Sequence, residues 1–365
     1  PVLASAPVHL RRRHLLHLAG LGALRALVGC GRGPTFALYN WGDYLAPGLL
    51  DRFAEQERAA GHGDLRPVQD YFLTDLELLT KLRAGDRHDV VVPIDYLMTR
   101  MVREGLLLPL DPAALPGLTN LDPAYPPWRP GPDDRAQVGD AIFGVPYFWG
   151  VTGIGYDADK VDPAPTSWEA LFDPRYAGRI SVLESKGDVF DQAQLALGLG
   201  INSTDKDAIR ARVFPKLLAQ KELLRAYDAN PERALAAGDT WIAQIDSGDL
   251  MRARQKRPSL RFVVPREGAP YWVDYLAIPR AAPDPARAHR FIQFLLDPQV
   301  AADNANYLHF ATPNRAALDR NLVHDAADPQ VYPPADREAD HPRSENWDGG
   351  TKELVDQLWI ELRGG

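Results

Sequence analysis

The sequence predicts an α/β protein built as two lobes with a hinge between them. The chain has 365 residues, which exceeds the length at which a single hydrophobic core usually stops growing. Apolar residues make up 45% of the chain and charged residues 25%, as expected for a soluble globular protein. Short strand-like runs alternate with helical runs, which is the pattern of parallel sheets with crossover helices.

Residues 1–29 are expected to form an export signal that belongs to neither lobe. Three arginines, Arg11 to Arg13, precede an apolar run from Leu15 to Val28. This run has about the length of a signal-peptide core and is short for a hydrocarbon layer of roughly 30 Å. The segment from Arg12 to Leu16 resembles a twin-arginine export signal. An ordinary secretory signal and an interior helix are the alternatives.

The single cysteine follows the apolar run directly. The segment Leu27-Val28-Gly29-Cys30 resembles a lipobox, in which the cysteine is lipidated after cleavage. We therefore expect Cys30 to anchor the protein to a membrane, in the periplasm or at the cell surface. The alternative is that the cysteine is incidental. A lone cysteine excludes an intrachain disulfide.

The charge of the chain disfavours nucleic acid as a partner. The formal net charge is −8, and removal of residues 1–29 would take away four arginines and make the remainder more acidic. Nucleic-acid binding requires surfaces rich in lysine and arginine. An acidic body instead attracts cationic ligands over long range.

The first lobe is predicted to begin with alternating strands and helices. Thr35 to Trp41 is a strand, and Pro47 to Ala59 is an amphipathic helix with proline at its start. Leu65 to Phe72 is the next strand. The helix after it is capped by Thr74, with Glu77 three residues later.

A buried strand and a long connection complete this part of the chain. Asp89 to Pro93 is an apolar strand of the kind buried on both faces, and the helix Tyr96 to Glu104 ends at Gly105. Leu108 to Asp140 is rich in proline, aspartate and glycine. We expect it to be a surface connection followed by a lobe boundary.

The second lobe is predicted from several further elements. Two separate strands, Ile142 to Tyr147 and Gly150 to Tyr156, are expected to cross into it. Its helices begin at a capping box formed by Thr166 and Glu169 and near Asp188. Its later strands are Trp241 to Ile245 and Arg261 to Val264.

The chain is then expected to return to the first lobe. Tyr275 to Pro279 is predicted to be a strand. The predicted helices Pro285 to Leu296 and Gln299 to Tyr307 follow it, and no new strand is predicted between them. A lobe that is entered twice implies several crossing segments, which form a hinge. The predicted division is residues 34–145 and 276–322 in lobe 1, and residues 146–275 and 323–365 in lobe 2.

Candidate binding residues are expected where strands end, because ligands of open α/β sheets bind outside the carboxyl ends of strands. Four of the five loops found there carry an aspartate near a strand end, and two combine it with tryptophan. A carboxylate neutralises an ammonium group and an aromatic face attracts it, so this combination suits an organic cation. An aspartate that only caps a helix and a tryptophan that only packs in the core are the alternatives. The loops are Trp41-Gly42-Asp43-Tyr44, Ile94-Asp95-Tyr96, Glu184 to Asp188, Asp246-Ser247-Gly248-Asp249 and Tyr271-Trp272-Val273-Asp274.

At these residues the sequence resembles the periplasmic spermidine/putrescine-binding proteins of ABC importers. The resemblance spans residues 35–365. It rests on several motifs in order, namely Tyr39-Asn40-Trp41-Gly42-Asp43-Tyr44, Asp89-Val90-Val91-Val92-Pro93, Pro146-Tyr147-Phe148-Trp149-Gly150, Thr166-Ser167-Trp168-Glu169-Ala170-Leu171, Trp272-Val273-Asp274-Tyr275-Leu276-Ala277-Ile278-Pro279 and Thr312-Pro313-Asn314.

This resemblance implies a type II periplasmic binding protein whose two lobes close on a polyamine, either putrescine or spermidine. It also implies a membrane permease as partner, no cofactor and no metal. Departures from the family pattern bear on the ligand. Gly42 and Ile94 stand where the family usually has small hydroxyl residues, and Asp246 stands where it has a tryptophan wall. Ser185 stands where the family has an acid, which the neighbouring Glu184 could replace. The expected ligand-binding residues are Trp41, Asp43, Tyr44, Asp95, Tyr96, Glu184, Asp188, Asp249, Trp272 and Asp274.

Two other functions remain open at this point. The same fold could bind thiamine, an amino acid derivative or a metal complex. A hydrolase could use two of the carboxylates as acid and nucleophile or base. The sequence lacks the HExxH, GxSxG, Walker and dinucleotide-binding motifs, so we predict a solute-binding protein and not an enzyme.

Overall fold

The structure is a computed structural model that describes residues 33–122, 136–333, 341–345, 347 and 349–364. The predicted export signal and Cys30 lie outside the described residues. None of the described helices is both long and apolar enough to cross a membrane.

Strands and helices alternate through most of the described chain. The strands are β1 (Thr35–Trp41), β2 (Arg66–Phe72), β3 (Val90–Val91), β4 (Gln137–Val138), β5 (Ala141–Ile142), β6 (Gly144–Asp157), β7 (Ile180–Leu183), β8 (Leu224–Asp228), β9 (Ile242–Asp246), β10 (Leu260–Val263) and β11 (Tyr271–Ala277). The α-helices are α1 (Leu49–Ala59), α2 (Asp75–Arg83), α3 (Asp95–Arg103), α4 (Lys186–Ala196), α5 (Lys206–Ala208), α6 (Phe214–Lys221), α7 (Pro231–Ala237), α8 (Ser247–Lys256), α9 (Pro285–Leu295), α10 (Pro298–Leu308), α11 (Arg315–Asp319) and α12 (Gly349–Gly364).

Most strands belong to one sheet, in the order β2-β1-β3-β11-β6-β9-β7-β8, with β10 also paired to β6. Parallel pairs lie on both sides of the central strands β11 and β6. On one side β1 runs parallel to β2 and β3, and on the other β7 runs parallel to β8 and β9. The central strands β11 and β6 are antiparallel. The sheet is therefore mixed, whereas the sequence pattern predicted parallel pairing.

Strand β6 joins the two sides of the sheet. Its first part, Gly144 to Val151, pairs with β11, and its second part, Thr152 to Tyr156, pairs with β9. All fourteen residues of β6 are buried. The prediction of two separate strands here was wrong, because Phe148 and Trp149 continue the same buried extended segment.

The helices after β11 pack back against the first elements, as the sequence predicted. The rings of Phe36 in β1 and Phe291 in α9 lie 4.7 Å apart, and those of Phe53 in α1 and Phe291 lie 5.0 Å apart. The last helix, α12, contacts α6, where Lys221 Nζ donates a hydrogen bond to the Leu362 carbonyl at 2.7 Å. The residue boundaries of the two lobes stay a prediction.

Three local predictions have clear outcomes. Thr74 caps α2, and its Oγ1 accepts a hydrogen bond from the Glu77 amide at 3.2 Å, which confirms that prediction. The capping box at Thr166 was wrong, since Ser167 provides the cap for a short 3-10 helix, Trp168–Phe172. Residues 271–274 form the start of β11 and not a loop, because the strand extends four residues further toward its N-terminus than the apolar run suggested.

Candidate functional site

Asp274 is a buried carboxylate that is electrostatically coupled to other acidic side chains. Its side chain is 5% exposed. Tyr44 Oη donates a hydrogen bond to Asp274 Oδ2 at 2.7 Å, whereas the buried Oδ1 has no hydrogen-bond partner within the described structure. Burial raises the pKa of Asp274 well above its ordinary value, and the charges of Asp75, Asp95 and Asp246 raise it further, against the lowering effect of Tyr44.

Tyr44 is held rigidly by its surroundings. Its backbone carbonyl accepts hydrogen bonds from Asn40 Nδ2 and Tyr147 Oη, both at 3.0 Å. Its ring makes edge contacts with Phe148 at 5.6 Å and Phe310 at 5.4 Å. The hydroxyl that meets Asp274 is therefore fixed by packing before any ligand arrives.

Trp272 reaches across β6 to Asp246. Trp272 pairs with Gly150 of β6, and Asp246 pairs with Thr152 on the other side of that strand. A β-carbon at Gly150 would lie 2.6 Å from Cζ2 of Trp272, so the indole crosses β6 over this glycine. Trp272 Nε1 then donates to Asp246 Oδ1 at 3.1 Å. This contact supports the prediction that Trp272 and Asp274 project to one side, since the charge of Asp246 also raises the pKa of Asp274.

Asp246 is the second carboxylate of this coupled group and is partly buried. Its Oδ1 also accepts a hydrogen bond from Thr152 Oγ1 at 2.5 Å. Burial raises its pKa to about 8, with further contributions from Asp249 and Asp188. Asp246 belongs to one of the five candidate loops predicted from the sequence, where it departs from the family pattern, but it was not among the expected ligand-binding residues. Its place at the carboxyl end of an apolar run was a signal that could have identified it.

Asp75 is a further member that the sequence reading missed. It is the first residue of α2, and Tyr96 Oη donates a hydrogen bond to its Oδ2. Its buried Oδ1 has no partner within the described structure. Burial raises the pKa of Asp75 to about 6, and the charges of Asp188 and Asp95 also raise it, against the hydrogen bond from Tyr96. The local sequence around Asp75 indicates only a helix start capped by Thr74, which is why this acid was not predicted.

Asp188 completes the group from the first turn of α4. Its backbone amide donates to Ser185 Oγ at 3.4 Å, and burial raises the pKa of its carboxyl. Its charge raises the pKa of Asp75 and of Asp246, and these two raise the pKa of Asp274. We name Asp75, Asp188, Asp246 and Asp274 the four-aspartate site.

Four other acids predicted as ligand contacts have arginine partners in this structure. Their role as ligand contacts stays a prediction, and each already has a positively charged neighbour. Arg343 Nε bonds Asp95 Oδ2 at 2.9 Å, Arg252 pairs with Asp249, Arg233 approaches Asp43 at 3.3 Å and Arg363 pairs with Glu184 at 2.6 Å.

The aromatic candidates are partly accessible. Trp41, Tyr96 and Trp272 are each half-buried. The ring of Trp41 contacts Phe72 at 4.4 Å, and its buried Nε1 has no hydrogen-bond partner among the described residues. No group of three histidine, cysteine, aspartate or glutamate side chains in the described ranges could hold a metal ion.

Comparisons with known proteins agree on one family. The family model described as bacterial extracellular solute-binding protein matches residues 76–331. The spermidine/putrescine-binding periplasmic protein of Escherichia coli is 30% identical over 362 residues, which cover 97% of this chain and 98% of that protein. The putrescine-binding periplasmic protein PotF of E. coli is 32% identical and covers 87% of this chain and 90% of its own length.

Solved structures show the same fold. A putative spermidine/putrescine ABC transporter protein from Listeria monocytogenes superposes with a TM-score of 0.81 and 30% identity, covering 90% of this chain and 98% of that one. PotD of Streptococcus pneumoniae, a spermidine/putrescine substrate-binding protein, gives 0.73 with 27% identity over 91% and 99%. These likenesses confirm the predicted two-domain α/β architecture of type II periplasmic binding proteins. The chain therefore belongs to the bacterial extracellular solute-binding proteins, in the family of the spermidine/putrescine-binding periplasmic proteins.

Proposed function

We propose that this protein binds a polyamine at the four-aspartate site and delivers it to the membrane permease of an ABC importer. The observation that carries the proposal is the absence of a cationic partner at the site. Within the described structure, none of Asp75, Asp188, Asp246 and Asp274 forms an ion pair with lysine, arginine or histidine. A buried carboxylate without a partner is costly, so a ligand that supplies positive charge is strongly favoured.

Two other buried acids of this chain, Glu57 and Asp157, are each paired with an arginine. Arg290 donates two hydrogen bonds to Glu57, at 2.8 and 2.7 Å, and Arg257 Nε donates one to Asp157 at 2.7 Å. Burial alone would raise the pKa of both acids, but their hydrogen bonds and arginine charges outweigh it and lower the pKa. The four-aspartate site lacks such arginines, which supports its assignment as a cation-binding site.

The aromatic side chains near the site suit the methylene groups of a polyamine. Burial of one CH₂ group contributes about 0.8 kcal/mol, and a cation over an aromatic ring contributes about 0.5–2 kcal/mol. Trp272 is held by Asp246, and Tyr96 is held by Asp75. Each ring therefore lies next to a carboxylate that can pair with an ammonium group.

The family supports an extracytoplasmic binding role without catalysis. The protein holds its solute and releases it unchanged to a permease. We further propose that a lipid on Cys30 anchors the protein to the membrane. Replacement of Cys30 by serine should then release the protein from membranes and leave its affinity in solution unchanged. Retention of the variant on membranes would contradict the anchor.

Titration calorimetry tests the function directly. The purified protein is titrated with putrescine, spermidine, thiamine and an amino acid mixture, and the amines are recovered and checked for chemical change. We expect binding of a polyamine at one-to-one stoichiometry without turnover. Binding of thiamine or an amino acid in the absence of any polyamine binding would contradict the proposal.

A further inference from the structure

We propose that Asp246 makes the four-aspartate site select polyamines with three or more ammonium groups over diamines. This inference rests on the proposed function, since it concerns the choice among polyamines. Four different elements supply the carboxylates, namely the start of α2, the first turn of α4, the end of β9 and the middle of β11.

The first step is a count of the charge that the ligand must neutralise. Asp249 is close enough to Asp246 to raise its pKa, but Arg252 pairs with Asp249. Asp95 is likewise paired with Arg343. The four members of the four-aspartate site keep no such partner among the described residues. The site therefore offers four uncompensated carboxylates when all of them are ionised.

The second step concerns the position of Asp246. Thr152 and Trp272 both donate to its Oδ1, and no described residue donates to its Oδ2. Asp246 is anchored on one oxygen and has the other available to a ligand. Asp246 is also coupled electrostatically to the rest of the site. Its charge raises the pKa of Tyr44 and of Asp274, and the charge of Asp188 raises the pKa of Asp246.

The third step compares ligands by charge. A diamine neutralises two carboxylates, so the other two must keep protons or remain as unpaired charges. A triamine neutralises three. Because an unpaired buried charge is costly, the preference for a triamine should grow as more of the four carboxyls ionise. Replacing Asp246 by a neutral residue of the same shape lowers the number of uncompensated carboxylates from four to three, and so lowers the negative charge that favours a third ammonium group.

The experiment compares spermidine with putrescine by calorimetry at pH 8, in the wild type, Asp246→Asn and Asp159→Asn. Asp159 is exposed beyond the end of β6, so its variant controls for the loss of one negative charge. We expect Asp246→Asn to weaken spermidine binding by about tenfold to one-hundredfold, the range of one hydrogen bond to a charged group. Putrescine binding should change much less, and Asp159→Asn should behave like the wild type. An unchanged ratio of the two affinities in Asp246→Asn would overturn the proposal.

A measurement on the wild type alone guards against a variant that fails to fold. The ratio of spermidine to putrescine affinity should exceed one at pH 8 and should be smaller at pH 6, where more of the carboxyls hold protons. Equal affinities at pH 8, or tighter binding of putrescine, would overturn the selectivity and leave polyamine binding intact. Failure of both amines to bind would instead contradict the proposed function on which the selectivity rests.

Discussion

The hydroxyl of Tyr44 donates a 2.7 Å hydrogen bond to Asp274, 230 residues further along the chain. This bond joins the loop after β1 to the middle of β11. It satisfies one carboxylate oxygen of Asp274, while the other is buried without a partner in the described structure. Tyr44 thereby orients an acid whose remaining oxygen is available to a cation.

Replacement of Asp274 by asparagine should weaken polyamine binding by about 2–5 kcal/mol, because it leaves an ammonium group dehydrated and unpaired. The melting temperature of the ligand-free protein should stay the same or rise, since burial already opposes the charge of Asp274. Calorimetry and thermal unfolding of the same preparation measure the two effects. Asp159→Asn is the matched control. Wild-type affinity in Asp274→Asn would remove this residue from the site.

Replacement of Gly150 by alanine should weaken binding although it deletes no atom of a predicted ligand-binding residue. The added β-carbon would lie 2.6 Å from the Trp272 indole and force the ring away from Asp246. The expected loss is about 1–3 kcal/mol, similar to that of Trp272→Ala, because apolar and cation–π contacts are lost in both. Gly349→Ala is the control, since nothing lies within 4 Å of its β-carbon. Full affinity in Gly150→Ala would show that the orientation of Trp272 is unimportant.

Polyamine affinity should rise from pH 5 to about pH 8 and then level off. In the empty protein the pKa of Asp75 is about 6 and that of Asp246 about 8, so both carry protons at pH 5. A bound ammonium group favours the ionised carboxylates, so binding releases protons and affinity increases by up to about tenfold per pH unit for each proton released. The ligand stays cationic, because primary amines titrate near ~10. Calorimetry in buffers of different ionisation enthalpy counts the protons, and affinity that is flat across this range would contradict the assignment.

Asp95 and Asp188 should respond in opposite ways to neutralisation. Asp95 is 1% exposed and bonded to Arg343, so Asp95→Asn should lower the free energy of unfolding by about 3 kcal/mol. Its polyamine affinity should stay within about tenfold of the wild type. Asp188 lacks a described cationic partner, so Asp188→Asn should weaken binding by at least about tenfold without loss of stability. Urea unfolding measures the stability of both variants, and calorimetry measures their polyamine affinity. A stability loss in Asp188→Asn together with an affinity loss in Asp95→Asn would refute this prediction.

Local patterns were sufficient for many elements of the fold. The predicted strand Thr35 to Trp41 coincides with β1, and the cap at Thr74 was identified from its neighbour Glu77. The alternation of Trp272, Val273 and Asp274 indicated which side chains share a face. Strand periodicity and capping depend on residues a few positions apart, so a single sequence contains the information that they require. The family motifs added the two-lobed architecture.

Other features could not be read from neighbouring residues. The continuity of β6 depends on β11 and β9, which pair with its two parts from far along the chain. Whether an aspartate is structural or ligand-binding also depends on residues far along the chain. The arginine that pairs with Asp95, Arg343, lies 248 residues away. The sequence by itself determined many of the strands and helices, the family and the kinds of side chain near the site. Only the tertiary structure decided that Asp95 and Asp249 keep an arginine and that the members of the four-aspartate site do not, since charge pairing is set by distances that form when the chain folds.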